Sequence, residues 1–379
     1  MTYNIGEIVL SKYKVDEWLG GGTYTRVLRV IHIHTQEART LKVVREGSAG
    51  LDSQRMSWLK ARFQLEASLA DKINSIGSHP NLLEVCGYHE LDGLPVLERQ
   101  YAPGGSLADL LRNARTAGKP IRIVKALKIA METADGLSAL HMQNIVHRDL
   151  KPSNILFDAV HNVRVSDLYL AQVPADLGLV SPGGPSSQFL NNTAYLSPEQ
   201  TQGRQKLTPP SDVYALGAIL FEMLTGVGYI TVEPGTSLRT VRTNIPDWLG
   251  DLVDRMLSHE PEKRPWGGAV VSALLRAGLY RMIGEGEDSI GAWDEGIQYK
   301  IPSRNARQGD QELPQPPAVP ADLSISVPNP NIEGHPEQVH GWERFLGFIK
   351  KLFQNPAFII ALIIIVLVLS LLLNLVLKK

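Results

Sequence analysis

One stretch, residues 146–167, constrains this chain more than any other: V-H-R-D-L-K-P-S-N-I-L-F-D, followed shortly by V-R-V-S-D. Asp149 and Lys151 stand two apart, Asn154 comes five after Asp149, and Asp167 arrives after an expected strand turn. Two acids, a lysine and an asparagine in so short a segment suit chemistry on a polyphosphate. One carboxylate is free to take a proton from a hydroxyl and one cation meets a phosphoryl group. The asparagine and the second carboxylate hold a divalent metal.

The run H-R-D-L-K-P-S-N resembles the catalytic loop of the eukaryotic-type protein kinases. Other segments match the same family in its own order over residues 13–278. Residues 13–30 read as strand, Gly-rich turn and strand, where Gly20 and Gly22 let backbone approach a phosphate and Val27 would lie over a base. Taken alone, three consecutive glycines also read as a plain hairpin turn. In T-L-K-V-V, Lys42 alternates with Leu41 and Val43 on the opposite face; it is either an outward strand charge or, as the resemblance implies, the grip on the nucleotide phosphates. Apolar spacing predicts a helix over residues 60–76, and Glu66 within it is the implied partner of Lys42. A second helix is expected over 106–112 and a longer one over 121–141. Between them and the first lobe, a hinge near Gln100 to Ala102 would meet adenine through its backbone.

The fold implied is α+β and bilobal, a small β-rich lobe and a larger helical lobe with ATP between them. Asp149 would orient and deprotonate a substrate hydroxyl, and Lys151, in the Ser/Thr-type position, would stabilise the transferred phosphoryl group. Asn154 and Asp167 would hold Mg²⁺, with Mn²⁺ as a substitute. Asp212 is expected to cap a buried helix and brace the catalytic loop; Glu199 and Arg264 are expected to pair structurally. Ser186, Ser187 and Thr193 are candidate phosphosites near Arg148, against the plainer reading of a solvated polar loop. Four positions depart from the family pattern. Thr25 replaces the third loop glycine, and Arg99 stands where an apolar or small residue backs the pocket. Tyr169 replaces the glycine after Asp167-Leu168, and Asn192 sits at a usual threonine. Those four support a competing expectation, a pseudokinase scaffold. The presence together of Lys42, Glu66, Asp149, Lys151, Asn154 and Asp167 favours an active kinase.

The rest of the chain bounds the setting. A formal net charge of -1 gives no reason to expect nucleic acid as a partner. The single cysteine, Cys86, excludes an intrachain disulfide framework, fits a reducing compartment, and reads as a small buried group beside Val85. The N-terminus has no basic segment and too short an apolar run for a signal peptide. Residues 285–340 have linker composition, with P-Q-P-P-A-V-P-A-D inside them. Residues 342–354 place Trp342, Phe345, Ile349 and Phe353 on one amphipathic helical face. Residues 357–377 are almost unbroken in their apolarity, roughly 30 Å of helix, the span of a bilayer core. The expectation is a single-pass tail anchor with the kinase domain facing the cytoplasm and no sensor domain beyond the helix. The partners expected are protein substrates, the lipid bilayer and a second copy of the chain as a homodimer.

Overall fold

The computed structural model describes residues 3–22, 24–45, 53–74, 78–168, 194–203 and 206–284. Alternation of apolar and polar residues builds the first lobe as one antiparallel sheet. Its strands are β1 (Ile8–Val9), β2 (Tyr13–Gly21), β3 (Thr25–His32), β4 (Ala38–Val44), β5 (Val85–Leu91) and β6 (Leu94–Gln100), in the order β1-β2-β3-β4-β6-β5. One face buries Val15, Leu28, Val30, Leu41, Val43 and Val96 against Tyr3, Val9 and Tyr13. The opposite face buries Leu97 and Val85 against Phe63 and Ala70 of helix α1 (Ser53–Asn74). Lys42 pairs in register with Val27 on one side and Leu97 on the other, so these three side chains share that second face.

The second lobe is helical. Helix α2 (Leu107–Thr116) is set by a capping box in which Ser106 and Asp109 exchange side-chain and backbone bonds. Helix α3 (Ile123–Met142) leads to the hairpin β7 (Ile155–Phe157) and β8 (Val163–Val165). Then come α4 (Pro198–Thr201), α5 (Pro209–Thr225), α6 (Leu238–Val241), α7 (Asp247–Met256) and α8 (Gly268–Gly284). Helix α5 is buried along nearly its whole length, as an almost wholly apolar sequence requires, and ends on Gly226 in the left-handed conformation. The start of α8 lies against α3 so closely that a Cβ at Gly268 would stand 2.3 Å from the Ala134 carbonyl oxygen.

Three expectations need correction. Helix α1 begins at Ser53, not at residue 60, because Ser53, Gln54 and Arg55 are polar and the regular apolar spacing starts only at Leu59. The packed fold also starts before residue 13, through Tyr3 and Val9, and α8 runs past residue 278 to Gly284. Cys86 is exposed: it alternates with inward-facing Val85 on β5, one of the two edge strands of the sheet among the described residues. Among the described residues no helix is long and apolar enough to cross a membrane. The segments 285–340, 342–354 and 357–377 lie outside the described residues, as do Tyr169, Ser186, Ser187, Asn192 and Thr193.

Candidate active site

The loop after α3 is held from beneath by Asp212. Its carboxylate accepts the backbone N–H groups of His147 at 2.8 Å and Arg148 at 2.9 Å, and His141 Nε2 at 2.9 Å. These bonds keep Arg148 at a left-handed φ of 67°, a conformation that costs a non-glycine residue on the order of 1–3 kcal/mol. Burial alone would raise the Asp212 carboxyl, but His141, His147 and the backbone donor outweigh it and hold it below the usual range. Asp212 lies inside the first turns of α5 and caps nothing; Thr208 is the N-cap residue, so that part of the expectation is corrected. Buried His147 donates from Nε2 to the Ser166 carbonyl at 2.9 Å and accepts the Asp149 N–H at Nδ1, tying the loop to the strand that delivers Asp167.

Above this base, Asp149 Oδ2 accepts from Lys151 Nζ at 2.8 Å and from Asn154 Nδ2 at 3.2 Å. Asn154 Nδ2 also donates to the Asp149 carbonyl at 2.8 Å, which turns its own side-chain oxygen away from the loop. That oxygen's one contact among the described residues is the Ser153 hydroxyl, at 3.5 Å. The Ser166 hydroxyl and N–H both bond the Asn154 carbonyl, at 3.1 and 2.8 Å, so Asn154 and Asp167 are held on adjoining segments.

Lys42, 6% exposed, bridges Glu66 Oε2 at 2.9 Å and Asp167 Oδ1 at 2.7 Å. Thus α1 is docked with its glutamate inward. Asp167 has a left-handed φ of 66°, and Leu168 beside it is buried in the helical-lobe core. Arg99 joins the cluster, its Nη1 lying 3.0 Å from Asp167 Oδ1 and 3.7 Å from Glu66 Oε1. Arg99 was expected only to alter the back of the pocket; it is an ion-pair partner of Asp167, the carboxylate expected to hold metal. Burial would raise the Asp167 carboxyl, and Lys42, Arg99 and Lys151 together hold it well below the usual range instead.

The Gly-rich turn between β2 and β3 places its tightest steric demand on the middle glycine, between Gly20 and Gly22. Gly20 and Gly21 have φ of 149° and 157°, and the Gly22 N–H bonds the Thr25 carbonyl at 2.9 Å. A Cβ at Gly21 would stand 2.2 Å from the Thr25 carbonyl oxygen, whereas one at Gly22 would meet only the Thr25 hydroxyl at 3.7 Å. The steric requirement therefore sits on Gly21, which spacing alone passed over. Gly21→Ala is expected to destabilise the fold by about 1–3 kcal/mol and to weaken nucleotide binding; thermal unfolding and an ADP titration check this, with Gly22→Ala as the milder comparison.

At the other end of the cleft, Gln200 Nε2 donates to the Arg148 carbonyl at 2.8 Å, linking α4 to the catalytic loop. Glu199 takes Arg264 at 2.7 and 2.9 Å and the Ser211 hydroxyl at 2.8 Å. Burial opposes ionisation of Glu199, yet Arg264 and the other donors hold its carboxyl down to about 2. A folded pKa below the unfolded value near 4.5 gives stability that is present above pH 4.5 and lost as pH falls toward 2. Unfolding free energies measured across that window are expected to drop by an amount on the order of 3 kcal/mol from this group, and Glu199→Gln to flatten the drop.

The donors fit a hard divalent cation: one carboxylate and one amide oxygen, with no nitrogen or sulfur. Among the described residues no cluster of three or more His, Cys, Asp or Glu could hold a metal unaided.

A small sheet lobe, a helical lobe, and a lysine, two aspartates and an asparagine converging between them define a protein-kinase-like phosphotransferase fold. The chain belongs to the eukaryotic-type serine/threonine protein kinase family, the protein kinase domain model matching residues 13–273. It is 30% identical over 293 residues to the serine/threonine-protein kinase pkn3 of Myxococcus xanthus, covering 72% of this chain and 51% of that protein. It is 32% identical over 285 residues to the serine/threonine-protein kinase PknB of Mycobacterium tuberculosis, covering 72% of this chain and 43% of that protein. It thus spans about half or less of these relatives' length. In fold it is similar to the crystal structure of the Mycobacterium tuberculosis PknI kinase domain, with a TM-score of 0.54 and 21% identity, covering 72% of this chain and 98% of that one.

Proposed function

We propose that this chain is a membrane-anchored serine/threonine protein kinase that transfers the γ-phosphoryl group of ATP to Ser and Thr hydroxyls of proteins, itself included. The observation that carries the reading is the joint arrangement of two groups of residues. Lys42 bridges Glu66 and Asp167 on one side, and Asp149 holds Lys151 and Asn154 on the other. In this reading Asp149 aligns a hydroxyl and takes its proton. Lys151, already at the Asp149 carboxylate, moves to the transferred phosphoryl group, and Lys42 grips the nucleotide phosphates under Gly20, Gly22 and Val27. Asn154 and Asp167 would hold Mg²⁺, which supplies neutralisation of phosphate charge. The apolar run 357–377 is proposed to anchor the chain in a bilayer with residues 13–278 on the cytoplasmic side and 285–340 as a spacer. A homodimer is proposed as the state that phosphorylates itself.

The test is transfer from labelled ATP by the full chain in lipid vesicles, with Mg²⁺ or Mn²⁺, beside Asp149→Asn and Tyr169→Gly. Incorporation by the parent that disappears in Asp149→Asn supports the kinase, and mapping the label tests Ser186, Ser187 and Thr193. The competing scaffold reading is favoured by Arg99 standing on Asp167. A nucleotide-binding parent that transfers nothing, with activity appearing only in Tyr169→Gly, would put the scaffold first. Release from vesicles on deleting residues 357–377 tests the anchor.

A further inference from the structure

The described residues place a second cation on the carboxylate that the kinase reading assigns to the metal. Asp167 Oδ1 receives both Lys42 Nζ at 2.7 Å and Arg99 Nη1 at 3.0 Å. Glu66 is shared the same way, with Lys42 at 2.9 Å and Arg99 at 3.7 Å. Two cations and two carboxylates thus meet, and Lys151 also acts on Asp167. Arg99 reaches it because of register. Lys42 pairs with Leu97 and Thr40 with Arg99, so residues two apart on β4 and β6 present Lys42 and Arg99 to the same face. Arg99 is only 4% exposed, and its Nε has no partner among the described residues. A guanidinium so placed is kept there by the carboxylates, since burial of an unpaired charge would be far more costly.

We propose that Arg99 is a positioning residue that serves as the counter-ion of Asp167 in the metal-free site and gives up part of that carboxylate when a divalent ion binds with nucleotide. The inference rests on the kinase reading. It makes metal binding an exchange of one cation for another. The site therefore requires more divalent ion to fill than a site without the arginine. A like charge beside the incoming ion opposes it, and an oxygen already accepting two cationic donors has less to offer. An arrangement of this kind ties the protein's output to divalent-ion concentration.

The experiment uses the full chain with ADP, so that no catalytic step is read. Free Mn²⁺ is followed by electron paramagnetic resonance as it is titrated into wild type, Arg99→Met and Arg99→Gln at saturating ADP. ADP binding without metal is measured by calorimetry alongside. Both variants are expected to bind Mn²⁺ about tenfold more tightly than wild type while binding metal-free ADP more weakly, because a cation has left the phosphate side of the cleft. A purely structural ion pair would lower the unfolding temperature and leave the Mn²⁺ affinity where it was. Unchanged or weaker Mn²⁺ binding in a variant that unfolds cooperatively overturns the proposal. Should methionine prevent folding, Arg99→Gln decides by the same sign. Failure of wild type to bind Mn²⁺ with ADP at all would remove the kinase reading itself, a result distinct from equal affinities in wild type and variants.

Discussion

Asp149→Asn is expected to lower phosphoryl transfer by about 10²–10⁴-fold, the range a positioned general base contributes. The substitution is nearly isosteric, so the surrounding bonds can persist. The backbone N–H of residue 149 still reaches His147 Nδ1, and the carbonyl still accepts from Asn154. What changes is the charge and the capacity to take a proton. The side-chain oxygen of asparagine would turn to Lys151, now 2.8 Å from Oδ2, which leaves an amide N–H₂ toward the substrate hydroxyl. An amide N–H₂ can donate to the hydroxyl oxygen but cannot accept the hydroxyl proton. Transfer assays should therefore show a collapse in kcat, with ADP affinity and the unfolding midpoint close to wild type. A variant with near-normal kcat would mean that Asp149 is only a brace for Lys151.

The largest loss of stability is expected from Arg264→Met, about 3–5 kcal/mol. Arg264 joins Glu199 through both oxygens, at 2.7 and 2.9 Å, and its side chain is fully buried. It also donates to the carbonyls of Ser258, His259 and Pro210, at 2.8, 3.0 and 3.0 Å. Removing it strands the buried Glu199 carboxylate and the buried Pro210 carbonyl, loosens the part-buried carbonyls of Ser258 and His259, and takes away the pull that keeps Glu199 ionised. Urea unfolding measures the loss. Combining Arg264→Met with Glu199→Gln should cost less than the sum of the two, since the second change removes the stranded charge. Simple additivity would show that the pair is not the source. Because Gln200, the next residue, holds the Arg148 carbonyl, transfer activity is expected to fall with stability in this series.

Much of this protein could be read directly from its residues, because the informative groups are close in sequence. Asp149, Lys151 and Asn154 lie within one tight loop, so their spacing nearly dictates which atoms can meet. Strand alternation around Lys42 likewise separated it from Leu41 and Val43, and an apolar run announced α5 as a buried helix. Helix α1 was legible only from the point where its apolar face begins, and its polar first residues were not. Gly21 could not be told from Gly20 and Gly22, since three equal letters carry no register; the Thr25 carbonyl across the turn singles it out.

Local motifs and the family resemblance they carry determined the two-lobed class and the members of the catalytic loop, because these depend on neighbours along the chain. The tertiary structure alone decided that Arg99 meets Asp167, 68 residues away, that Cys86 faces outward on an edge strand, and that Asp212, read from the sequence as a brace for the loop, does not also cap its helix. Each of those outcomes depends on strand register or on the packing of distant elements, and a buried charge finds its partner only when the fold brings one within reach.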